Sequence, residues 1–286
     1  MKNYIVDLYD YFKVQKPEGA KATLTVYLRQ LSKEINENRK HPAMLVIPGG
    51  GYGMVSEREG EPVALRYFAL GFNSFVLDYS VAPIKFPYQL LEAVMAITYI
   101  RKNADELGVN PNMVSAVGFS AGGHLCGMLG SYWDSEEVNE LFGSDINARP
   151  DAVILSYPVI TCKGKTHGGS FENLCGAENI KLQEKLDITN LVNENSSPAF
   201  IWSTYNDGVV PVRNALLAAL AYEEKGVPFS VHVWGKAQHG ISVADRTVYG
   251  GVYDGFKPLE DMSESVATWI DLSVEWLKER GFQIKE

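Results

Sequence analysis

The sequence predicts an α/β fold, a mostly parallel central sheet covered by helices on both faces. Three observations carry that expectation. Short β-branched or aromatic runs alternate along the chain with helix-length amphipathic segments. Some of these runs are apolar without a break, as strands buried on both faces require. The alternation persists on both sides of one polar, Gly- and Asn-rich stretch, Val159 to Ser197.

In chain order, Ala22 to Leu28 (ATLTVYL) alternates with period two and reads as the first strand. Ala43 to Ile47 (AMLVI) is continuously apolar and ends at Pro48, fitting a strand covered on both faces. Ser74 to Leu77 follows as a strand, and then Leu90, Val94, Ile97 and Ile100 repeat at helical spacing. Pro87 stands where that helix can begin. Met113 to Val117, Ala152 to Leu155, Ala199 to Trp202 and Phe229 to Trp234 are further strands. Val212 to Glu224, rich in Ala and Leu, is a helix. Val266, Trp269, Ile270, Ser273 and Leu277 make one face of a last helix that ends before Gly281.

At 286 residues the chain is near two average domains of about 150 residues. The alternation on both sides of the polar stretch argues instead for one domain over residues 1–286, with 159–197 an insertion that walls or lids a pocket. With 46% hydrophobic residues and 21% charged, the composition excludes a disordered chain. A net charge of −9 argues against a groove for nucleic acid. Three cysteines without a CxxC pair or a His cluster give no zinc or thioredoxin-like signature, so neither metal nor cofactor is expected. Met1 to Lys16 has no apolar core of a signal peptide, and no run of about 18 apolar residues exists. The expectation is a soluble, cytoplasmic protein with no membrane partner; homo-oligomerisation stays open.

Gly118-Phe119-Ser120-Ala121-Gly122 follows the strand MVSAV directly and leads into a helical Gly123-His124-Leu125-Cys126 segment. A G-x-S-x-G sequence between strand and helix holds its serine on a sharp turn, with the hydroxyl pushed out at the strand's C-terminal end. Ser120 is therefore the candidate nucleophile, against the alternative of a serine that only caps the helix. Its base must be an imidazole. His41 precedes a strand and is expected to face solvent, His124 to pack under the turn, and His232 to sit within the sheet. His167 lies in the polar insertion. His239, in a loop just past the last strand, is the choice. Asp207, in Asn206-Asp207-Gly208-Val209-Val210-Pro211, is expected to fix the imidazole's tautomer, the alternative being that it caps the following helix. Asp245 and Asp254 follow His239 and would break the order Ser, Asp, His. The N–H groups of Gly49-Gly50-Gly51, with that of Ala121, can converge on an oxyanion. The glycine tract has neither a P-loop lysine nor the G-x-G-x-x-G pattern, which argues against a phosphate site.

These motifs (PGGGY at 48–52, GFSAGGHL at 118–125, NDGVVPV at 206–212 and QHG at 238–240) resemble those of the α/β-hydrolase superfamily. The resemblance is to its acetyl esterase/lipase branch, which includes acetylxylan-esterase-like and feruloyl-esterase-like bacterial carboxylesterases. It implies an α/β-hydrolase fold, Ser120, Asp207 and His239 as a triad, and Gly50, Gly51 and Ala121 as oxyanion donors. It further implies short acyl esters as substrates, with a small-molecule ester or acetylated oligosaccharide as the partner. Pro48 replaces the histidine of the His-Gly-Gly-Gly branch, and no N-terminal helical cap is read, so a shallow, open site is expected. Tyr52, Tyr79, Tyr157 and His167 are the expected pocket lining, with core packing the alternative for the aromatic residues. An amidase using the same triad and a non-catalytic binding protein are the competing functions.

Overall fold

The computed structural model describes residues 1–143, 146–248 and 262–284. Its strands are β1 (Lys2–Asp7), β2 (Thr23–Leu28), β3 (His41–Ile47), β4 (Asn73–Asp78), β5 (Val109–Phe119), β6 (Ala152–Ser156), β7 (Ala199–Thr204) and β8 (Phe229–Trp234). They form one eight-stranded sheet in the order β1-β2-β4-β3-β5-β6-β7-β8. The β1–β2 and β2–β4 pairs are antiparallel and the others parallel. The longer helices are α1 (Leu8–Phe12), α2 (Glu61–Ala69), α3 (Tyr88–Lys102), α4 (Ala121–Ser131) and α5 (Glu136–Phe142). After β6 come α6 (Gly168–Cys175), α7 (Ile180–Lys185) and α8 (Ile188–Leu191), then α9 (Arg213–Glu224) and α10 (Trp269–Glu279). No described helix is long and apolar enough to cross a membrane.

Every residue of β3 is buried, because alternate side chains enter different cores. Leu45 and Ile47 belong to the core on the side of α3 and α4; Met44 and Val46 belong to the core on the side of α2 and α10. A strand covered twice must be apolar at every position. Edge strand β1 is different. Ile5 is exposed, and no continuous apolar run marks this strand in the sequence.

The stretch 159–197 is more regular than its composition suggests. It carries α6 to α8, each too short to show helical periodicity. Asn179 and Asp187 start α7 and α8 by accepting from the Leu182 and Thr189 N–H groups. His41 corrects an expectation: it is buried, with Nδ1 3.0 Å from the Gly71 carbonyl, and burial lowers its pKa. The start of β3 lies against the Gly71 turn, and this leaves the ring only 5% exposed.

Candidate active site

The site is assembled at the C-terminal ends of the parallel strands. Ser120, between β5 and α4, has φ 53° and ψ −118°, a conformation that an L-residue holds only when its surroundings over-determine it. The two flanking glycines explain how. A Cβ on Gly118 would lie 2.2 Å from the Gly122 carbonyl oxygen, and one on Gly122 would lie 2.2 Å from the Pro48 oxygen. No side chain fits at either place. The Ser120 N–H donates to Ser156 O (3.0 Å), and the Ser120 carbonyl accepts from the Val159 N–H (3.0 Å), so β6 and the chain after it brace the turn.

His239 Nε2 is 2.8 Å from Ser120 Oγ, and its Nδ1 is 2.6 Å from Asp207 Oδ2. A carboxylate only accepts, so the ring proton sits on Nδ1 and the Nε2 lone pair faces the serine hydroxyl. The Asp207 side chain is inaccessible to solvent and the imidazole 14% exposed. Asp207 Oδ1 also accepts from the Val209 and Val210 N–H groups, each at 2.9 Å. The alternative of a helix cap is not met, because α9 begins after Val212 without a side-chain cap; Oδ1 instead braces the turn before it. Asp245 is turned elsewhere, paired with Arg66 at 3.0 Å. Asp254 lies outside the described residues.

The glycine loop is oriented by its carbonyls. Gly49 O accepts from the Ser56 N–H, and Gly50 O from the Gly53 and Met54 N–H groups. In a trans peptide the next N–H points opposite to the carbonyl, so the Gly50 and Gly51 N–H groups point away from that turn. Gly50 has φ 121°, and a Cβ there would lie 2.2 Å from the Met54 oxygen. The Gly49 N–H is already committed to Glu59 Oε2 at 2.8 Å, which removes one of the three glycine donors. Ala121 begins α4, so its N–H has no partner within the helix and carries the helix's positive end.

The four residues expected to line the pocket divide. Tyr52 and Tyr157 correct the expectation: both are buried, with their hydroxyls taken. The Tyr52 hydroxyl is 2.8 Å from His124 Nδ1, and His124 Nε2 is 2.8 Å from the Leu186 carbonyl. The carbonyl requires the proton on Nε2, so Nδ1 accepts from Tyr52. Burial lowers the His124 pKa to about 4, keeping it neutral beneath the turn. The Tyr157 hydroxyl donates to Glu59 Oε1 (2.7 Å) and accepts from the Ser242 N–H (2.9 Å), and its ring stands edge-on to His239 at 4.9 Å. Tyr79 is also almost wholly buried, donating to the Pro48 carbonyl at 2.7 Å, although its edge borders a cleft of about 770 Å³ beside β2 and β4. These rings shape the walls behind the site and offer it little surface.

His167 alone of the four keeps a half-buried ring beside the glycine loop. Its Cε1 would be 3.4 Å from a Cβ on Gly51, and its Nδ1 is 2.8 Å from Ser170 Oγ. Burial and then the nearby His239 lower its pKa. Asn173 of α6 donates to Gly51 O at 2.9 Å, tying α6 to the glycine loop. The sequence reading missed Asn173 and Glu59; neither belongs to a motif. Among the described residues no three His, Cys, Asp or Glu side chains cluster as metal ligands.

The fold defines the class: an α/β-hydrolase, with esterases among its relatives and structural neighbours. The chain belongs to the BD-FAE family, whose model matches residues 30–220. It is 40% identical over 232 residues to endo-1,4-beta-xylanase B of Butyrivibrio fibrisolvens, covering 79% of this chain and 36% of that one. It is 27% identical to the acetylxylan esterase of Xylanibacter ruminicola, over 82% of this chain and 46% of the relative. The chain thus spans between a third and a half of the length of these two curated relatives. A solved acetyl ester-xyloside bifunctional hydrolase from Caldicellulosiruptor lactoaceticus superimposes with a TM-score of 0.82 at 32% identity, covering 98% of this chain and 97% of that one.

Proposed function

We propose that the protein is a serine carboxylesterase acting on short acyl esters, with O-acetyl groups on carbohydrate as its substrate class. The observation that carries this is the continuous hydrogen-bonded line Ser120 Oγ–His239–Asp207, at 2.8 and 2.6 Å. His239 Nε2 takes the Ser120 proton as Oγ attacks the ester carbonyl, and Asp207 stabilises the imidazolium that forms. The carbonyl oxygen becomes an oxyanion held by the N–H groups of Gly50, Gly51 and Ala121. On collapse, His239 returns the proton to the departing alcohol oxygen. A water, deprotonated by His239, then attacks the acyl-enzyme; the acid leaves and Ser120 regains its proton.

The acyl part of the substrate must fit at the glycine loop, where the buried rings of Tyr52, Tyr79 and Tyr157 offer little surface. The alcohol part meets His167 and Asn173, whose polar groups suit hydroxyl-rich partners better than an alkyl chain. The Xylanibacter relative is an acetylxylan esterase and the Caldicellulosiruptor protein an acetyl ester-xyloside bifunctional hydrolase, and both favour the same substrate class.

Ser120→Ala is expected to abolish hydrolysis of p-nitrophenyl acetate with the fold intact by circular dichroism; retained turnover overturns the proposal. An acyl series from acetate to octanoate, together with acetate release from acetylated xylo-oligosaccharides, tests the substrate class. Faster turnover of octanoate, or no release from the oligosaccharides, refutes it.

A further inference from the structure

Glu59 is a carboxylate only 3% exposed, in a short turn before α2, and the mechanism above does not use it. A buried carboxylate is costly unless its oxygens are bonded, and here both are. Oε2 accepts from the Gly49 N–H (2.8 Å) and Oε1 from the Tyr157 hydroxyl (2.7 Å). Tyr157 accepts in turn from the Ser242 N–H (2.9 Å). Three loops are joined through this one side chain: the glycine loop after β3, the turn after β6 and the histidine loop after β8. The backbone at these joints is held in an unusual conformation, with positive φ at Gly50 (121°), Tyr157 (35°) and Ser242 (52°). The Ser242 hydroxyl also donates to the Arg58 carbonyl, next to Glu59, so the histidine loop is fastened twice to the same turn.

We infer that Glu59, acting through Tyr157, is a positioning residue that sets the oxyanion donors and His239 in register with each other; this rests on the esterase reading above. One end of the link fixes the peptide immediately before the Gly50 donor. The other fixes the ring against which His239 stands and the chain three residues beyond it. Neither Glu59 nor Tyr157 touches the reacting atoms. Their contribution is to the alignment of two separate loops, which matters most when the oxyanion and imidazolium exist together. A loss of alignment therefore falls on kcat rather than KM.

The test is a double-mutant cycle with Glu59→Ala, Glu59→Gln, Tyr157→Phe and Glu59→Ala/Tyr157→Phe, normalised to active sites counted by a fluorophosphonate probe. Glu59→Ala and Tyr157→Phe are each expected to lower kcat on p-nitrophenyl acetate by about tenfold to a hundredfold, with KM within about threefold. Glu59→Gln, which keeps an acceptor for the Gly49 N–H, is expected to recover part of the loss. The double variant should be little worse than Glu59→Ala, because both changes break one link. If kcat per titrated site stays within about twofold, or the two losses multiply, the inference is overturned; a lowered melting temperature with unchanged kcat overturns it as well. Tyr157→Phe and Glu59→Gln decide the matter should Glu59→Ala not fold. Activity surviving in Ser120→Ala would instead defeat the underlying esterase reading, and so separates the two failures.

Discussion

At the scale of single residues, the motif around Ser120 owes its legibility to steric exclusion. Gly118 and Gly122 are glycines because backbone oxygens occupy the space their side chains would need, and such positions leave a mark in the sequence. Asp207 was legible for a different reason, since a carboxylate before Gly208 can serve both a turn and a partner. Asp207→Asn keeps an oxygen for the Val209 and Val210 N–H groups but no longer dictates the imidazole tautomer. Steady-state kinetics is expected to show kcat lower by on the order of 10⁴ with the melting temperature nearly unchanged. Gly50→Ala places a methyl where the Met54 carbonyl stands, and displaces a donor. Its kcat should fall by about a hundredfold, with substrate binding spared. Glu59 and Tyr157 were not legible. Their value lies in which loops they join, and a glutamate in Ser-Glu-Arg-Glu-Gly carries no local sign of that.

Among secondary-structure elements, the strands were read more completely than the helices. The interior strands β3 to β7 stand out because two-sided burial demands apolar residues throughout. Strand β1 was missed, since at the sheet edge with Ile5 exposed it has only one partner and a weak pattern. Helices α1, α2 and α5 to α8 were missed; α6 to α8 are each eight residues or fewer and depend on caps and neighbours rather than on periodicity. Helix α10 was clear from its apolar face, and the structure gives that face a second task. The Trp269 indole N–H donates to Ser242 O at 2.9 Å, beneath the histidine loop, while the ring stacks on Trp202 at 5.0 Å. Trp269→Ala should cost about 3–5 kcal/mol in urea unfolding. It should also weaken catalysis in the folded fraction, whereas Trp276→Ala, on the same face but away from that loop, should affect stability only.

Over the whole molecule, two buried titratable groups oppose each other. Glu92, bonded to Tyr9 and Ser80, has its pKa raised by burial from 4.5 to about 7, and His124 has its own lowered from 6.5 to about 4. Between pH 4.5 and 7 the folded state holds a proton on Glu92 that the unfolded state has lost, so this group's contribution falls as pH rises. Between pH 4 and 6.5 the unfolded state holds a proton that buried His124 does not, so its contribution rises with pH. The two slopes nearly cancel where they overlap. Glu92→Gln removes one of them, and its stability relative to the parent should improve as pH rises across that range; parallel profiles would refute this assignment. A single sheet lies behind the active centre as well: Ser120, Asp207 and His239 follow β5, β7 and β8, so distant residues meet by sharing one set of strand ends. The central claim is that this meeting makes Ser120 a nucleophile, and intact-mass spectrometry after exposure to a fluorophosphonate tests it most directly. One adduct per chain, mapped to Ser120, absent in Ser120→Ala and greatly slowed in His239→Ala, is the result expected. No adduct on the folded protein, or labelling that survives in Ser120→Ala, would contradict it.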